Sequence, residues 1–423
     1  MPIPIFIATV LRKAGETGVH THYWTLSRWF VQTGQKLPTV VTPYDRNKWL
    51  VYPVFAIRRL IAPLNGSFGL WWYRYWHRLC LYLNLKEILA NGHACVIYAQ
   101  CPMSAQAALA ARVSSAQRVV MIAHFNISEA DEWAGKGVIG VGGTLFKHIR
   151  EYEAQVLPRL DRLVFVSAFM QRNIYERIPR ATMVEGKVIP NFISAVQHER
   201  TRQAVSRDLI CVGTLERRKN QHYALEIAAA ARQSGYPLRL TLVGGGPDRS
   251  ALEKAVQTLG IEDDVVFTGH MDDVASLMAD HRACLHVSRM ESFGIVLIEA
   301  MSQGLPVFAG RVGGVPEVFD DGIEGRFIPL DNAGMAARLI LEWLSEPEAL
   351  QRAGIQARSR FIARFETGKV VRDLVDFLMS DSNEPNIPIP AVPDRQIDQP
   401  SVALLTTVEQ RLASSARSSD AVE

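Results

Sequence analysis

The sequence predicts an α/β fold made of two doubly wound domains, each a parallel sheet covered by helices on both faces. Two observations support this prediction. Short apolar runs rich in β-branched residues alternate with longer helical patterns, and such near-continuous apolar strands are typical of buried parallel sheets. The alternation occurs in two separate series, and 423 residues exceed the length at which a single core usually stops growing.

The predicted strands and helices follow one another along the chain. The strands of the first series are 5–11, 94–99, 118–123 and 162–167, and those of the second are 208–213, 238–244, 265–269, 283–288 and 305–310. The clearest helical patterns lie between them, at 21–33, 104–113, 221–234, 248–258, 271–280 and 294–303. We therefore expect a first domain over 1–195 and a second over 205–379, joined where 190–205 turns polar.

The last part of the chain has a different composition. Residues 380–400 are rich in Pro, Asp and Asn and lack helical or strand periodicity. This pattern predicts a disordered linker, with a short helix at 402–416 before a frayed end. We expect 380–423 to be a disordered tail.

Composition and the start of the chain favour a cytoplasmic protein. The sequence is 48% hydrophobic and 21% charged, as in ordinary globular proteins. No apolar run reaches the roughly 20 residues that span a bilayer. The apolar start is followed rather than preceded by positive charges, unlike a signal peptide. The five cysteines are scattered without CxxC or metal-ligand spacing, as expected of reduced thiols.

Charge is divided unevenly along the chain. Residues 1–190 carry a net charge of +11 and the remainder carries −8. A basic half indicates an anionic partner: a membrane surface, a phosphorylated lipid or nucleic acid. A solvated basic face without a partner is the alternative.

Three segments after strands of the second half contain polar or glycine residues where ligands bind in parallel sheets. The segment 213–220 contains Arg218 and Lys219, which together could neutralise a diphosphate. The segment 243–247 contains three consecutive glycines, which let a backbone approach a ligand closely. A basic surface turn and a tight strand-to-helix turn are the respective alternatives.

The third segment, 291–300, reads ESFGIVLIEA and is the most informative. Gly294 opens a predicted helix whose amides suit a diphosphate. Glu291 and Glu299 flank this helix end and would face neutral parts of the ligand, such as the hydroxyls of a nucleotide sugar. Glu299 lies in an apolar helix and needs a partner there, so pairing with a structural Lys or Arg is the alternative.

These motifs occur in an order that resembles the retaining family-four glycosyltransferases of the GT-B fold. The similarity is dense from about 208 to 365 and includes the run GLPVFAGRVGGVPEVFDDGIEGRFIP. The resemblance implies that Glu299 holds the ribose, Glu291 contacts the transferred sugar, and Arg218 with Lys219 steadies the leaving diphosphate. Many members have Arg where this chain has Thr214. The donor-binding residues expected on this basis are Gly18, Gly213, Gly245, Phe293, Gly294, Ile295 and Glu299.

The first half resembles the family more thinly. The loop at Gly18 is similar to the glycine-rich loop that approaches the donor phosphates, with its usual double glycine reduced to one. His124 stands at a strand end where the family often has a histidine beside the transferred sugar, which implies a catalytic role. Ser167 and Asn191 match landmarks at the end of the first domain. The loop 313–317 matches one that closes over the donor.

Residues 68–82 form an aromatic stripe at helical spacing, with Arg74 and Arg78 together on another face. Aromatic rings with arginines suit a membrane interface, and a helix packed on its own domain is the alternative. Arg58, Arg59 and the basic first half favour peripheral attachment to an anionic inner leaflet.

The resemblance implies retention at the anomeric carbon, without a covalent nucleophile. It also implies no cofactor beyond the UDP- or GDP-linked sugar donor. The acceptor would be a glycan or a polyprenyl-diphosphate-linked glycan of bacterial surface-polysaccharide assembly, and not nucleic acid. The pairs Asp272–Asp273 and Asp320–Asp321 lie in predicted loops, so we expect no metal site. A nucleotide-sugar epimerase or hydrolase of the same fold, and a catalytically silent sugar-binding partner, remain alternatives.

Overall fold

The structure is a computed structural model of the 423-residue chain. It describes residues 3–13, 15, 18–45, 48–61, 64–195, 207–271 and 273–380, with side chains at all of these except 48–50, 58, 59 and 61. The predicted tail from 381 onward, most of the predicted join, Asp272 and the side chains of Arg58 and Arg59 lie outside the described part.

The first half of the chain forms a six-stranded parallel sheet in the order β2-β1-β3-β4-β5-β6. Its strands are β1 (Ile5–Ala8), β2 (Thr39–Val41), β3 (Cys95–Ala99), β4 (Gln117–Ala123), β5 (Arg162–Phe165) and β6 (Glu185–Val188). Every residue of β3 and β5 is buried. This burial on both faces explains why β3 and residues 163–165 of β5 are continuous apolar runs.

The second half forms another six-stranded parallel sheet, in the order β12-β11-β10-β7-β8-β9. Its strands are β7 (Arg207–Val212), β8 (Leu240–Val243), β9 (Val265–Gly269), β10 (His281–His286), β11 (Val307–Gly310) and β12 (Gly325–Ile328). In both sheets the strand order reverses next to the first strand. The prediction of two doubly wound α/β domains is confirmed, and the reversal places a crevice at the carboxyl end of each sheet.

Helices connect the strands. Those of the first half are α1 (Gly18–Gln32), α2 (Lys48–Ile61), α3 (Gly66–Leu89), α4 (Pro102–Ala111), α5 (Glu129–Gly135), α6 (Thr144–Val156) and α7 (Ala168–Arg177). Those of the second are α8 (Gln221–Gln233), α9 (Arg249–Leu259), α10 (Val274–Ala279), α11 (Ile295–Ser302), α12 (Ala333–Leu344), α13 (Pro347–Arg364) and α14 (Thr367–Met379). No described helix is long and apolar enough to span a bilayer.

The last helix, α14, packs against α1 of the first half. The backbone leading into it is tied to Ile193, whose N–H donates to the Phe365 carbonyl and whose carbonyl accepts from the Thr367 N–H. At the end of α14, the buried Arg162 guanidinium donates to the carbonyls of Phe377 and Ser380 at 2.6 and 2.8 Å. Helix α14, although it follows the second sheet in the chain, therefore contacts the first half through α1 and Arg162.

The first part of the aromatic stripe of α3 is exposed, whereas Tyr82 at its end packs against the core. Phe68, Trp71 and Tyr75 are 46%, 44% and 40% exposed and stack on one another with ring centroids 5.6 and 5.5 Å apart. Arg74, which the sequence places with Arg78 on another face of the helix, is not exposed. Its guanidinium is buried against the Glu129 carboxylate at 2.5 Å, because helix α5 carries that acid onto the inner face of α3.

Candidate active site

The carboxyl edge of the second sheet is assembled by close backbone contacts between loops. The loop after β8 packs against the loop after β7, and a Cβ on Gly244 would overlap the Gly213 carbonyl. A Cβ on Gly246 would likewise overlap the Leu215 carbonyl, and the Leu215 N–H donates to the Gly245 carbonyl at 2.9 Å. Glycine is required here for this approach. Gly245 itself is exposed, with open space where a side chain would be.

The loop after β10 leads into α11 through a left-handed residue. Gly294 has φ +94° and immediately precedes the first residue of the helix. Other residue types are disfavoured in this conformation. It turns the first α11 amides toward the carboxyl edge of the sheet, where unpaired helix amides favour an anion. Phe293 is buried under this turn, against the Phe365 ring at 5.6 Å.

Lys219 and Glu291 meet at this edge. The Lys219 ammonium donates to the Glu291 carboxylate at 2.7 Å, and the His286 Nε2 lies 3.4 Å from the same oxygen. Burial alone would raise the pKa of Glu291, but the ammonium and the imidazole outweigh it and hold that pKa well below its usual range. Glu291 is therefore a carboxylate at neutral pH, fixed between two nitrogen groups.

The turn that holds Lys219 is strained. Asn220 has φ +59° and ψ +33°, and is the non-glycine residue with a left-handed backbone among those described. Its side-chain amide donates to the Val287 carbonyl at 3.2 Å and its oxygen accepts from the Arg289 guanidinium at 3.2 Å. These bonds tie the turn after β7 to the loop after β10, and so set the distance between Lys219 and Glu291.

Arg218 is not beside Glu291. Its guanidinium pairs with the Glu216 carboxylate, with nitrogens 2.8 and 3.2 Å from one oxygen. It also lies close enough to Glu132 of the first half to oppose the rise that burial causes in the pKa of that carboxyl. Arg218 thus stands between the two halves with one acid on each side.

Glu299 lies one turn into α11 and is partly buried. Burial raises its pKa to about 7. No Lys, Arg or His side chain within the described ranges makes an ion pair with it. A carboxyl without a cation at this position can accept hydrogen bonds from neutral hydroxyls.

The first half meets this edge at Gly18 and His124. A Cβ on Gly18 would lie 2.9 Å from the Ile295 Cδ1, so the start of α1 touches the start of α11. His124, at the end of β4, has its Nε2 3.3 Å from the Gln100 side-chain oxygen. Burial lowers the pKa of His124 to about 4, which keeps the imidazole neutral. The carboxyl edges of the two sheets therefore face each other.

A second histidine stands beside His124. The rings of His22 and His124 are 5.0 Å apart edge to face, and Phe192 covers His22 at 4.7 Å. Burial and then His124 lower the pKa of His22 well below its usual value. Its Nε2 lies 3.0 Å from the Tyr98 hydroxyl, while its buried Nδ1 has no hydrogen-bond partner among the described groups.

The structure brings Lys219, Glu291, Gly294 and Glu299 to one edge, with Gly18 and His124 opposite. Sequence reasoning missed His286 and His22. His286 is the last residue of β10 and His124 directly follows β4, so a strand-end rule applied to both sheets would have found His286. His22 is inside α1, and its sequence neighbours give no signal of where it points.

A separate cavity of about 370 Å³ lies on the other side of the turn that carries Lys219. Its lining is of mixed charge and includes Glu216, Arg217, Asp248 and Arg289. Neither Glu291 nor Glu299 lines it.

The predicted absence of a metal site remains a prediction. In the described ranges, no three His, Cys, Asp or Glu side chains are grouped to hold a metal ion. The acids considered from sequence have other partners: Asp273 accepts from the Ser276 N–H, Asp320 pairs with Arg360, and Asp321 accepts from the Phe327 N–H.

Two family models match the chain in succession. The model described as Glycosyltransferase Family 4 matches residues 17–196, and the one described as Glycosyl transferases group 1 matches residues 197–360. The chain belongs to the group 1 glycosyltransferase family. Its two sheets have the GT-B architecture of that family.

Curated relatives of this group 1 glycosyltransferase share parts of it. N-acetyl-alpha-D-glucosaminyl L-malate synthase of Bacillus anthracis is 36% identical over an aligned segment of 149 residues. This segment covers 34% of this chain and 39% of that protein. Glycogen synthase of Mycobacterium tuberculosis is 29% identical over 66% of the chain and 69% of that protein. Among solved structures, Anabaena Alr3699/HepE in complex with UDP-glucose superimposes with TM-score 0.64 at 17% identity, covering 88% of this chain and 98% of that one.

Proposed function

We propose that this protein transfers a sugar from a nucleotide-diphosphate sugar to a glycan or lipid-linked acceptor, with retention of anomeric configuration. The observation that carries the proposal is the arrangement of Lys219, Glu291 and the unpaired Glu299 around the start of α11. It is supported by membership of the group 1 glycosyltransferase family and by similarity to a glycogen synthase and to an N-acetyl-alpha-D-glucosaminyl L-malate synthase.

The arrangement can stabilise a departing diphosphate. The start of α11 offers amides of positive partial charge, and Lys219 adds a full charge beside them. Glu299, without a cation, is suited to ribose hydroxyls, and Glu291 to the hydroxyls of the transferred sugar. Each carboxylate then meets a neutral part of the donor, while the negative part meets the amides and Lys219.

Retention without a covalent intermediate requires the acceptor to attack from the face that the diphosphate leaves. The neutral His124 opposite α11 would accept or donate a hydrogen bond to the sugar without adding charge near the developing oxocarbenium centre. No described carboxylate is assigned as a covalent nucleophile in this proposal. We also propose that no metal is needed, because Lys219 and the helix amides supply positive charge.

The test is a screen of UDP- and GDP-sugars with and without oligosaccharide and polyprenyl-diphosphate-glycan acceptors. Acceptor-dependent release of nucleoside diphosphate is expected, and it should persist in chelator. The anomeric configuration of the product, read by NMR, should match that of the donor. Conversion of the sugar without acceptor would indicate an epimerase or hydrolase, and absence of turnover with any donor would indicate a sugar-binding partner.

We further propose that the enzyme attaches peripherally to an anionic membrane through α2 and α3. Exposed aromatic rings and basic side chains together favour the bilayer interface. The stacked Phe68, Trp71 and Tyr75 supply the exposed aromatic rings. The sequence from 46 to 86 supplies the basic side chains, because it contains six Lys or Arg residues besides the buried Arg74 and no Asp or Glu.

Vesicle binding tests this attachment. The wild-type protein should sediment with phosphatidylglycerol vesicles at low salt and much less with phosphatidylcholine vesicles. The double variant Trp71→Ser/Tyr75→Ser should bind about tenfold more weakly, since two interfacial rings are lost. Ile355→Ser removes a side chain that is 60% exposed on α13, and serves as the matched control. Equal binding by all three proteins would contradict the proposal.

A further inference from the structure

Ser167 joins the first half of the molecule to the backbone next to Glu291. Its hydroxyl donates to the Ser292 carbonyl at 2.7 Å. The same oxygen accepts from the Met170 N–H at 3.2 Å and so caps α7. Ser167 is 1% exposed, and Ser292 is buried as well. A single buried hydroxyl therefore caps the start of α7 in the first half and also binds the carbonyl of Ser292, the residue that follows Glu291.

Glu317 connects the second half of the molecule to the start of α7 in the first half. It belongs to the loop after β11, yet its carboxylate accepts from the N–H groups of Ala168 and Phe169, each at 2.7 Å. These are the first two amides of α7, which have no partner inside the helix. A carboxylate is favoured at this positive helix end. The expectation that this loop covers the donor does not predict such a contact.

The loop that carries Glu317 also holds Glu291 directly. The Gly314 N–H donates to the Glu291 carbonyl at 2.9 Å. A Cβ on Gly313 would overlap that carbonyl, and one on Gly314 would overlap the Ser292 carbonyl. The backbone at 291–292 is thus held by the glycine loop and by Ser167, which meet at the Ser292 carbonyl.

From these contacts we infer that Ser167 and Glu317 are positioning residues that place Glu291 for sugar transfer. The inference rests on the proposed function. Neither side chain contacts Lys219, Glu299 or the start of α11, so neither is expected to bind the nucleotide. Both act through the backbone of Glu291, which they hold in place only while α7 stands against the second half.

Two substitutions remove these contacts singly. Ser167→Ala deletes the hydroxyl, and Glu317→Gln keeps the shape but leaves one α7 amide facing an NH₂ group. Because Ser167→Ala also removes a helix cap, Asn332→Ala is the matched control. Asn332 caps α12 by accepting from the Met335 N–H at 2.9 Å, so Asn332→Ala removes an N-cap of the same kind.

The kinetic readout separates positioning from binding. Each site variant should lower kcat by about 10- to 100-fold, because small displacements of a catalytic group have effects of this size. The dissociation constant for UDP or GDP should stay within about twofold, and Asn332→Ala should keep wild-type kcat. The double variant should lose less than the product of the single losses, because both act on one peptide. Wild-type kcat in both single variants would overturn the inference.

Hydrogen exchange gives a readout that does not depend on activity. Ser167→Ala changes the first half, yet amides 289–294 of the second half should exchange about fivefold faster, while Asn332→Ala should leave them unchanged. Unchanged exchange in both site variants would overturn the inference. If the wild-type protein transfers no sugar, the proposed function fails, and exchange at 289–294 alone then decides whether Ser167 and Glu317 position Glu291.

Discussion

Glu299 is a carboxyl whose environment favours its protonated form. In the unfolded chain its pKa is near the ordinary 4.5, and in the folded chain burial raises it to about 7. Between these values the folded protein keeps a proton that the unfolded chain releases. The contribution of Glu299 to the free energy of unfolding therefore falls as pH rises from about 4.5 to 7, and is constant above that range.

Glu299→Gln should remove this pH dependence. Between pH 5 and 7 the wild-type protein should lose stability relative to the variant, and above pH 8 the difference should stay constant. Urea unfolding of both proteins at several pH values measures it. Glu348→Gln, which alters a fully solvated carboxylate, should parallel the wild type. A constant difference between wild type and Glu299→Gln across pH 5 to 8 would contradict the assignment.

Lys219 and Glu291 form a mostly buried ion pair, and removing one member leaves the other charge without its partner. Lys219→Met should therefore lower the free energy of unfolding by about 3 kcal/mol. Glu291→Gln in the same chain should restore part of this loss, because it removes the stranded charge. A double-mutant cycle in urea measures the coupling, and strictly additive losses would show that the pair is not coupled.

At the scale of elements, the turn before α8 depends on a left-handed asparagine. Alanine at 220 would lose both side-chain hydrogen bonds and would occupy a backbone conformation that costs about 1–2 kcal/mol. Glycine would lose the same bonds without the backbone cost. Asn220→Ala should thus be less stable than Asn220→Gly by about 1 kcal/mol in thermal or urea unfolding. Equal stability of the two variants would show that the turn relaxes to a right-handed form.

The sequence predicted the central strands well and missed three at the sheet edges. β2 and β6 are the edges of the first sheet, and β12 is an edge of the second. Edge strands pair on one side only and are covered less completely, so they do not need long apolar runs. β6, EGKV, is nowhere fully buried, and its composition gives no strand signal. The predicted helix 271–280 is also shorter in the structure, where α10 begins at Val274 after the cap at Asp273.

Within the site, sequence motifs predicted the positions of residues that lie close together both in the chain and in the structure. Gly294 and the two flanking glutamates could be placed from spacing, because a strand end, a turn and a helix start occur within ten residues. Contacts between residues that are distant in sequence could not be predicted in this way. Nothing around Glu317 indicates that it caps a helix about 150 residues earlier, and nothing around Arg74 indicates its burial against Glu129.

For the whole molecule, the return of α14 to the first half is a source of stability. Arg162 is 2% exposed and pairs with Glu185 as well as with two carbonyls at the end of α14. Arg162→Leu should lower the free energy of unfolding by about 3 kcal/mol, because it leaves these acceptors unpaired. Lys187→Met breaks an exposed pair with Asp373 in the same region, and should cost less than about 1 kcal/mol.

Limited proteolysis provides a second measurement of the same contact. Cleavage near residues 365–380 should be faster in Arg162→Leu than in Lys187→Met, because the end of α14 is released. Similar cleavage rates in the two variants would mean that apolar packing on α1 holds the helix without Arg162.

The crossing of α14 has a consequence for synthesis on the ribosome. The first sheet is complete once residue 188 has emerged, but the carbonyls that satisfy Arg162 belong to residues 377 and 380. Until roughly another 190 residues have been translated, that guanidinium has Glu185 but not these carbonyls as partners, and the α1 surface against which α14 packs is uncovered. The first half therefore acquires its final surface only when residues 367–380 of the second half have been synthesised.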